Sequence, residues 1–189
     1  MNRLTIQPVS SGLRHKALLA SLLLVAFTAL ANPPNLKVGD EPPNVFGKSS
    51  TGEVVRLGDY SGRIVVISFW ATWCAPCQKE IPMLMALQQQ ATRERLVVLA
   101  VNWRQSYETF RGIKRYFKDK APQVTLISDE YGRAGDAYGV KGIPHMVIVG
   151  RDGRIAAMHE GYSEQNLQSI IDEINTTWRE TSPENHVGK

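Results

Sequence analysis

Cysteine is scarce in this chain: Cys74 and Cys77 are the only two in 189 residues. That scarcity excludes a disulfide-stapled scaffold, because a small domain held by staples carries several pairs. A zinc site needs about four ligands, and neither a second CxxC nor an HxxxH spacing is present to complete one. Covalent haem would need a histidine directly after Cys77, where Gln78 stands. A run long enough to span a bilayer is also missing. The longest uncharged, mostly apolar stretch, 17–31, has 15 residues, which as a helix reaches roughly 22 Å against a hydrocarbon core of ~30 Å. Finally, no excess of one charge survives beyond the leader. There are 22 Lys and Arg against 18 Asp and Glu, and Arg3, Arg14 and Lys16 all precede the apolar stretch, leaving 19 against 18. The basicity is mostly a targeting feature, and a nucleic-acid partner is not supported.

What is present begins with that leader. Basic residues, an apolar stretch and Ala29-Leu30-Ala31 as a small-x-small site read as a secretory signal over 1–31, either cleaved or kept as an anchor. No cysteine follows the stretch, so a lipid anchor has no acceptor. The expected location is periplasmic or otherwise extracytoplasmic. Residues 32–43, with Pro33, Pro34, Pro42 and Pro43, read as a linker, 44–178 as one domain, and 179–189 as a disordered tail.

Within the domain, Val45-Phe46 and Val54 to Arg56 flank a turn at Gly52 and predict an N-terminal β-hairpin. Ile64 to Trp70 is a continuous apolar, β-branched run and reads as a buried strand; Leu96 to Val101 and Val124 to Ile127 read likewise. Helices are expected over Cys74 to Ala91, with a kink at Pro82, and over Tyr107 to Lys118, with Phe110, Ile113, Tyr116 and Phe117 facing inward. A short helix is expected at Arg133 to Tyr138. His145 to Val149 and Arg154 to Met158 flank an Asp-Gly turn, and a last helix is expected to start at Ser163 as its N-cap. Strand, helix, strand, helix, strand predicts parallel βαβ pairing.

The stretch around which this organises itself is 64–82, IVVISFWATWCAPCQKEIP. A buried strand delivers Cys74 and Cys77 to the start of a helix, where unpaired N–H groups and the macrodipole favour a thiolate. The loop between the two cysteines is too short to restrict the unfolded chain much, so thiol–disulfide exchange is the better reading than a staple. Cys74, nearer the helix start and expected to be exposed, reads as the nucleophile, and Cys77 as the residue that resolves the mixed disulfide.

FWATWCAPC resembles the active site of the thioredoxin superfamily, and GRIVVISFWATWCAPCQKEIP together with YGVKGIPHMVIVGRDGRI resembles its exported TlpA, ResA and CcmG-like branch. The resemblance implies a thioredoxin-like α/β fold: a central mixed sheet flanked by helices, an N-terminal β-hairpin and an extra βα insertion. It implies that Cys74 and Cys77 are the redox pair, that Trp73 forms a lip beside them, and that Ile143 and Pro144 form a cis-proline loop. Such a loop offers backbone to an extended substrate segment. Glu80 has two open readings, a half-buried carboxylate exchanging a proton with Cys77 or an exposed residue favoured by the macrodipole. Thioredoxins proper carry a buried Asp on the strand at the place of Ser68, and its absence here makes Glu80 the nearest substitute. His145 either lies beside Cys74 or opens an ordinary strand, the second being preferred.

The implied activity is reduction of specific protein disulfides, of the cytochrome c maturation or copper-site assembly type. Its partners are protein disulfides and a membrane dithiol that supplies electrons. A monomer is expected, with neither metal nor cofactor. The alternatives are a general disulfide-forming oxidant, a thiol peroxidase and a copper-relay module. The peroxidase pattern wants Thr and Pro where Ala71 and Ile67 stand. The copper reading rests on Met83, Met85, Met146, Met158, His145 and His159, which sit at positions where packing is the ordinary use of methionine.

Overall fold

The apolar runs seen in the sequence become the centre of one seven-stranded mixed sheet in the computed structural model, which describes residues 35–181. The expectations for the leader, for 32–34 of the linker and for the tail beyond 181 lie outside the described residues. The elements follow in the order β1 (Val45–Ser49), β2 (Val54–Arg56), β3 (Ile64–Trp70), α1 (Ala75–Gln90), β4 (Leu96–Trp103), α2 (Tyr107–Lys120), β5 (Thr125–Asp129), α3 (Arg133–Ala137), β6 (His145–Val149), β7 (Ile155–Glu160) and α4 (Leu167–Glu180). In space the strands run β2-β1-β5-β4-β3-β6-β7. Parallel pairing joins β3 to β4 and β4 to β5; β6 pairs antiparallel with β3.

The continuous apolar character of β3 and β4 has a direct cause: both faces of these strands are covered. One face sends Ile64, Val66, Trp70, Val98, Met146 and Ile148 toward α1, α2 and α4. The opposite face sends Val65, Ile67, Phe69, Leu99, Val101 and Val147 toward the hairpin residues Phe46 and Val55 and toward Tyr138 and Val140. Every side chain of β3 and β4 is buried, and each large apolar one contributes about 1.5–3 kcal/mol. The strand carrying the cysteine motif is thus held by the bulk of the core.

The helices depart from expectation in two places, at Tyr116 of α2 and at the start of α4. Helix α1 continues through Pro82 to Gln90. Its buried side is Ile81, Leu84, Met85 and Gln88, while Ala86 is exposed. Gln88 is buried because its amide serves β4 where β5 has not yet begun: Nε2 donates to the Leu96 carbonyl at 3.1 Å and Oε1 accepts from the Val98 N–H at 2.7 Å. In α2 the inner face is Phe110, Ile113 and Phe117, and Tyr116 is 53% exposed, since it lies one residue round from Phe117 on the flank of that stripe. Ser163 precedes a 3-10 turn, Glu164–Asn166, and makes no side-chain cap bond; α4 begins only at Leu167 and runs to Glu180. Among the described residues no helix is long and apolar enough to cross a membrane.

Candidate active site

Strand β3 ends at Trp70, and a three-residue loop brings the chain to Cys74, the N-cap of α1, in extended conformation. Ala75 and Pro76 open the helix; a proline is tolerated there because no intrahelical bond is required of its nitrogen. The Cys77 N–H points at Cys74 Sγ, at 3.2 Å. Cys74 and Cys77 are joined in a disulfide. Cys74 Sγ also lies 3.6 Å from the Ile143 carbonyl oxygen, a contact that a Cys74 S–H can convert into a hydrogen bond once the pair is reduced.

Cys74 is less open than expected. It is 4% exposed and Cys77 is 0% exposed, because the disulfide partner and the Ile143 carbonyl cover the sulfur. The access that remains is beside Trp73, which is 64% exposed, and the exposed Ala75 and Pro76. Cys74 is still the more accessible of the two. The Ile143–Pro144 peptide is cis. Ile143 is half-buried, and Pro144, buried, leads directly into β6.

Glu80 is 1% exposed, which removes the reading of an exposed residue serving the macrodipole. It sits one turn beyond Cys77 on the side of α1 that faces the sheet. Its carboxylate accepts a hydrogen bond of 2.5 Å from Ser68 Oγ. Burial pushes the Glu80 pKa from 4.5 up to about 7, with the Ser68 hydroxyl pulling the other way. A carboxyl group that the strand does not supply therefore comes from the helix and meets the strand at Ser68. The sequence signal for that partnership was the lone hydroxyl in IVVISFW.

Other candidates fall elsewhere. Trp70 is buried against Phe117, with ring centroids 5.7 Å apart. His145 opens β6, in register with Phe69 and Glu160, and its ring meets the edge of Phe69 on the sheet face opposite Cys77; burial lowers its pKa. The methionines do not converge. Met83, Met85 and Met146 pack on the α1 face and Met158 on the other. Among the described residues no group of three His, Cys, Asp or Glu side chains could hold a metal.

One set of residues escaped the sequence reading: Thr72, Gln78, Asn102 and Gln105, bonded together beside the cysteines. The signal available was the single amide in LVVLAVNW.

Comparison with known proteins bears on this geometry. The AhpC/TSA family matches residues 38–158. A thiol-disulfide oxidoreductase ResA of Bacillus thuringiensis is 26% identical over 140 residues, covering 74% of this chain and 79% of its own. The thioredoxin-like protein YneN of Bacillus subtilis is 29% identical over 138 residues, covering 72% and 80%. A Chlorobium tepidum protein provisionally named a thiol:disulfide interchange protein, DsbE, superposes with a TM-score of 0.67 at 28% identity, over 76% of this chain and 99% of its own.

Proposed function

Because the chain belongs to the AhpC/TSA family, on the ResA-like side of the thioredoxin superfamily, we propose that it is an exported thiol–disulfide oxidoreductase that reduces particular protein disulfides through Cys74 and Cys77. The observation that carries this reading is the Cys74–Cys77 disulfide at the helix N-cap, against the Ile143 carbonyl and above a buried Glu80. A structural staple has no use for a titratable carboxyl group one turn away.

The reaction starts from the dithiol. The helix N-terminus favours ionised Cys74, whose thiolate attacks one sulfur of a substrate disulfide. A Cys74–substrate disulfide forms and the first substrate thiolate leaves, taking up a proton. Glu80, with a pKa near 7, accepts the proton of Cys77. The Cys77 thiolate then attacks Cys74 Sγ, the second substrate thiolate leaves, and the Cys74–Cys77 disulfide is restored. Two electrons have passed to the substrate. A dithiol donor in the membrane resets the pair, with Glu80 returning the proton. Trp73 and the backbone of Ile143 before Pro144 receive the substrate segment, as a β-pairing edge beside the sulfur.

Reduction rather than oxidation is the direction we assign, of the cytochrome c maturation or copper-site assembly type. The test uses the chain from residue 32 onward, reduced beforehand. It should transfer electrons to protein disulfides; Cys74→Ser should abolish transfer, and Cys77→Ser should accumulate a covalent substrate complex. Full activity in Cys74→Ser sinks the assignment. An equilibrium with glutathione near the strongly oxidising potentials, around −120 mV, would instead make the protein a disulfide-forming oxidant.

A further inference from the structure

Strand β4 is apolar until Asn102, which is fully buried. Its Nδ2 donates to Gln105 Oε1 at 2.7 Å, while its Oδ1 is buried without a hydrogen-bond partner. Gln105 in turn grips Thr72 twice. Its Oε1 accepts the Thr72 N–H at 2.8 Å, and its Nε2 donates to Thr72 Oγ1 at 2.7 Å. From the α1 side, Gln78 Nε2 donates to the Thr72 carbonyl at 2.6 Å. Backbone N–H, backbone C=O and hydroxyl of one loop residue are all held by side chains, and that residue lies two positions before Cys74.

The turn that carries Gln105 is held in an unfavourable conformation. Arg104 is the one non-glycine residue with positive φ among the described residues, at +50°, a region costly for any residue with a Cβ. Three contacts fix it. Its N–H donates to the Asp129 carbonyl at 2.9 Å, its guanidinium pairs with Asp136 at 2.9 Å, and it stacks over Trp103 at 4.7 Å. Gly132 lies against it at φ +71°, and a Cβ there would fall 2.5 Å from Arg104 Nε and push that side chain out of its place. A buried amide with one unpartnered atom and a left-handed turn, each of which costs stability, thus stand together beside the loop that carries Cys74.

We propose that Gln105, seated by Asn102, is a positioning residue for the dithiol: by clamping Thr72 it fixes Trp73 and the N-cap sulfur of Cys74 relative to Cys77 and Ile143. This rests on the exchange reading above. Gln105 touches no reacting atom; it acts through the loop.

The test compares Gln105→Ala, Thr72→Val, Thr72→Ser and the Gln105→Ala/Thr72→Val double variant. Two readouts are needed: the rate of protein-disulfide reduction, and the rate at which reduced Cys74 is alkylated by iodoacetamide at pH 6 in a Cys77→Ser background. Misplacement of a reacting group by a fraction of an ångström lowers rates by about tenfold or more. We expect Gln105→Ala and Thr72→Val each to lose about tenfold in reduction and several-fold in alkylation, with thermal unfolding still cooperative. Thr72→Ser should stay within about twofold of the parent, and the double variant should be no slower than Gln105→Ala, because both remove one shared contact. Alkylation unchanged in Gln105→Ala and Thr72→Val overturns the clamp; so does a Thr72→Ser as slow as Thr72→Val. Should the parent protein reduce no protein disulfide, the exchange reading fails separately, and the alkylation rates still decide the clamp.

Discussion

Replacing Glu80 by Gln tests the most consequential feature of the site, a carboxyl group buried with one hydroxyl partner. Its pKa is raised from 4.5 to about 7. At roughly 1.4 kcal/mol per pH unit, ionising it in the folded protein costs about 3 kcal/mol more than in the unfolded chain. The sign follows from the direction. Well below pH 4.5 Glu80 is protonated in both states and no penalty exists; between 4.5 and about 7 the unfolded chain ionises while the folded protein keeps the proton, so stability is lost across that window, and above it the folded state carries the buried charge and the loss is complete. Glu80→Gln carries no such charge. The stability of Glu80→Gln relative to the parent should therefore grow by roughly 3 kcal/mol between pH 4 and pH 8, which is about 1–2 M in urea midpoint. Both proteins are compared with the disulfide intact, so that only this group differs. A difference that stays constant within about 0.5 kcal/mol over that range refutes the reasoning, because Glu80 would then titrate as an ordinary exposed acid. Ser68→Ala sharpens the test. The Ser68 hydroxyl favours the charged form, and losing it should move the transition upward by about one pH unit. In the proposed dithiol cycle Glu80→Gln removes the acceptor for the Cys77 proton. Resolution of the mixed disulfide should slow by on the order of a hundredfold at pH 7.

Two further outcomes follow from the packing. Gln88→Leu leaves the Val98 N–H and the Leu96 carbonyl without the partners they have inside the protein, and should cost about 2–3 kcal/mol in chemical denaturation; a loss below about 0.5 kcal/mol means that water reaches β4 there. Peroxide consumption should be no faster than in a Cys74→Ser control, since Ile67 is buried on the sheet face away from the cysteines and Ala71 is a buried methyl rather than a hydroxyl. Turnover of peroxide through Cys74 would contradict the proposed disulfide substrates.

How much of this was legible in the chain varies with the range of the interaction. The run Ile64 to Trp70 marked its strand to the residue, because a strand covered on both faces must be apolar at every position. The hairpins around Gly52 and Asp152-Gly153 were marked by turn chemistry. The site's covalent centre was equally plain, since Cys74, Cys77 and the helix start are neighbours in sequence. Tyr116 was misjudged because one helical position separates the inner stripe from its flank, and periodicity alone does not set the width of the face that the sheet covers.

Sequence by itself determined the strand, the helix start and the two sulfurs placed between them, all of which depend on residues within one or two turns of each other. Tertiary structure alone decided what surrounds them. Ser68 and Glu80 are 12 residues apart, Thr72 and Gln105 33, and Cys74 and Ile143 69. Each of these contacts exists only because parallel β3 and β4 and antiparallel β6 lie side by side, bringing the ends of three strands and one helix to the same edge of the sheet. Burial, which moves the Glu80 pKa and covers Cys74, is a property of that assembled edge and of no segment within it.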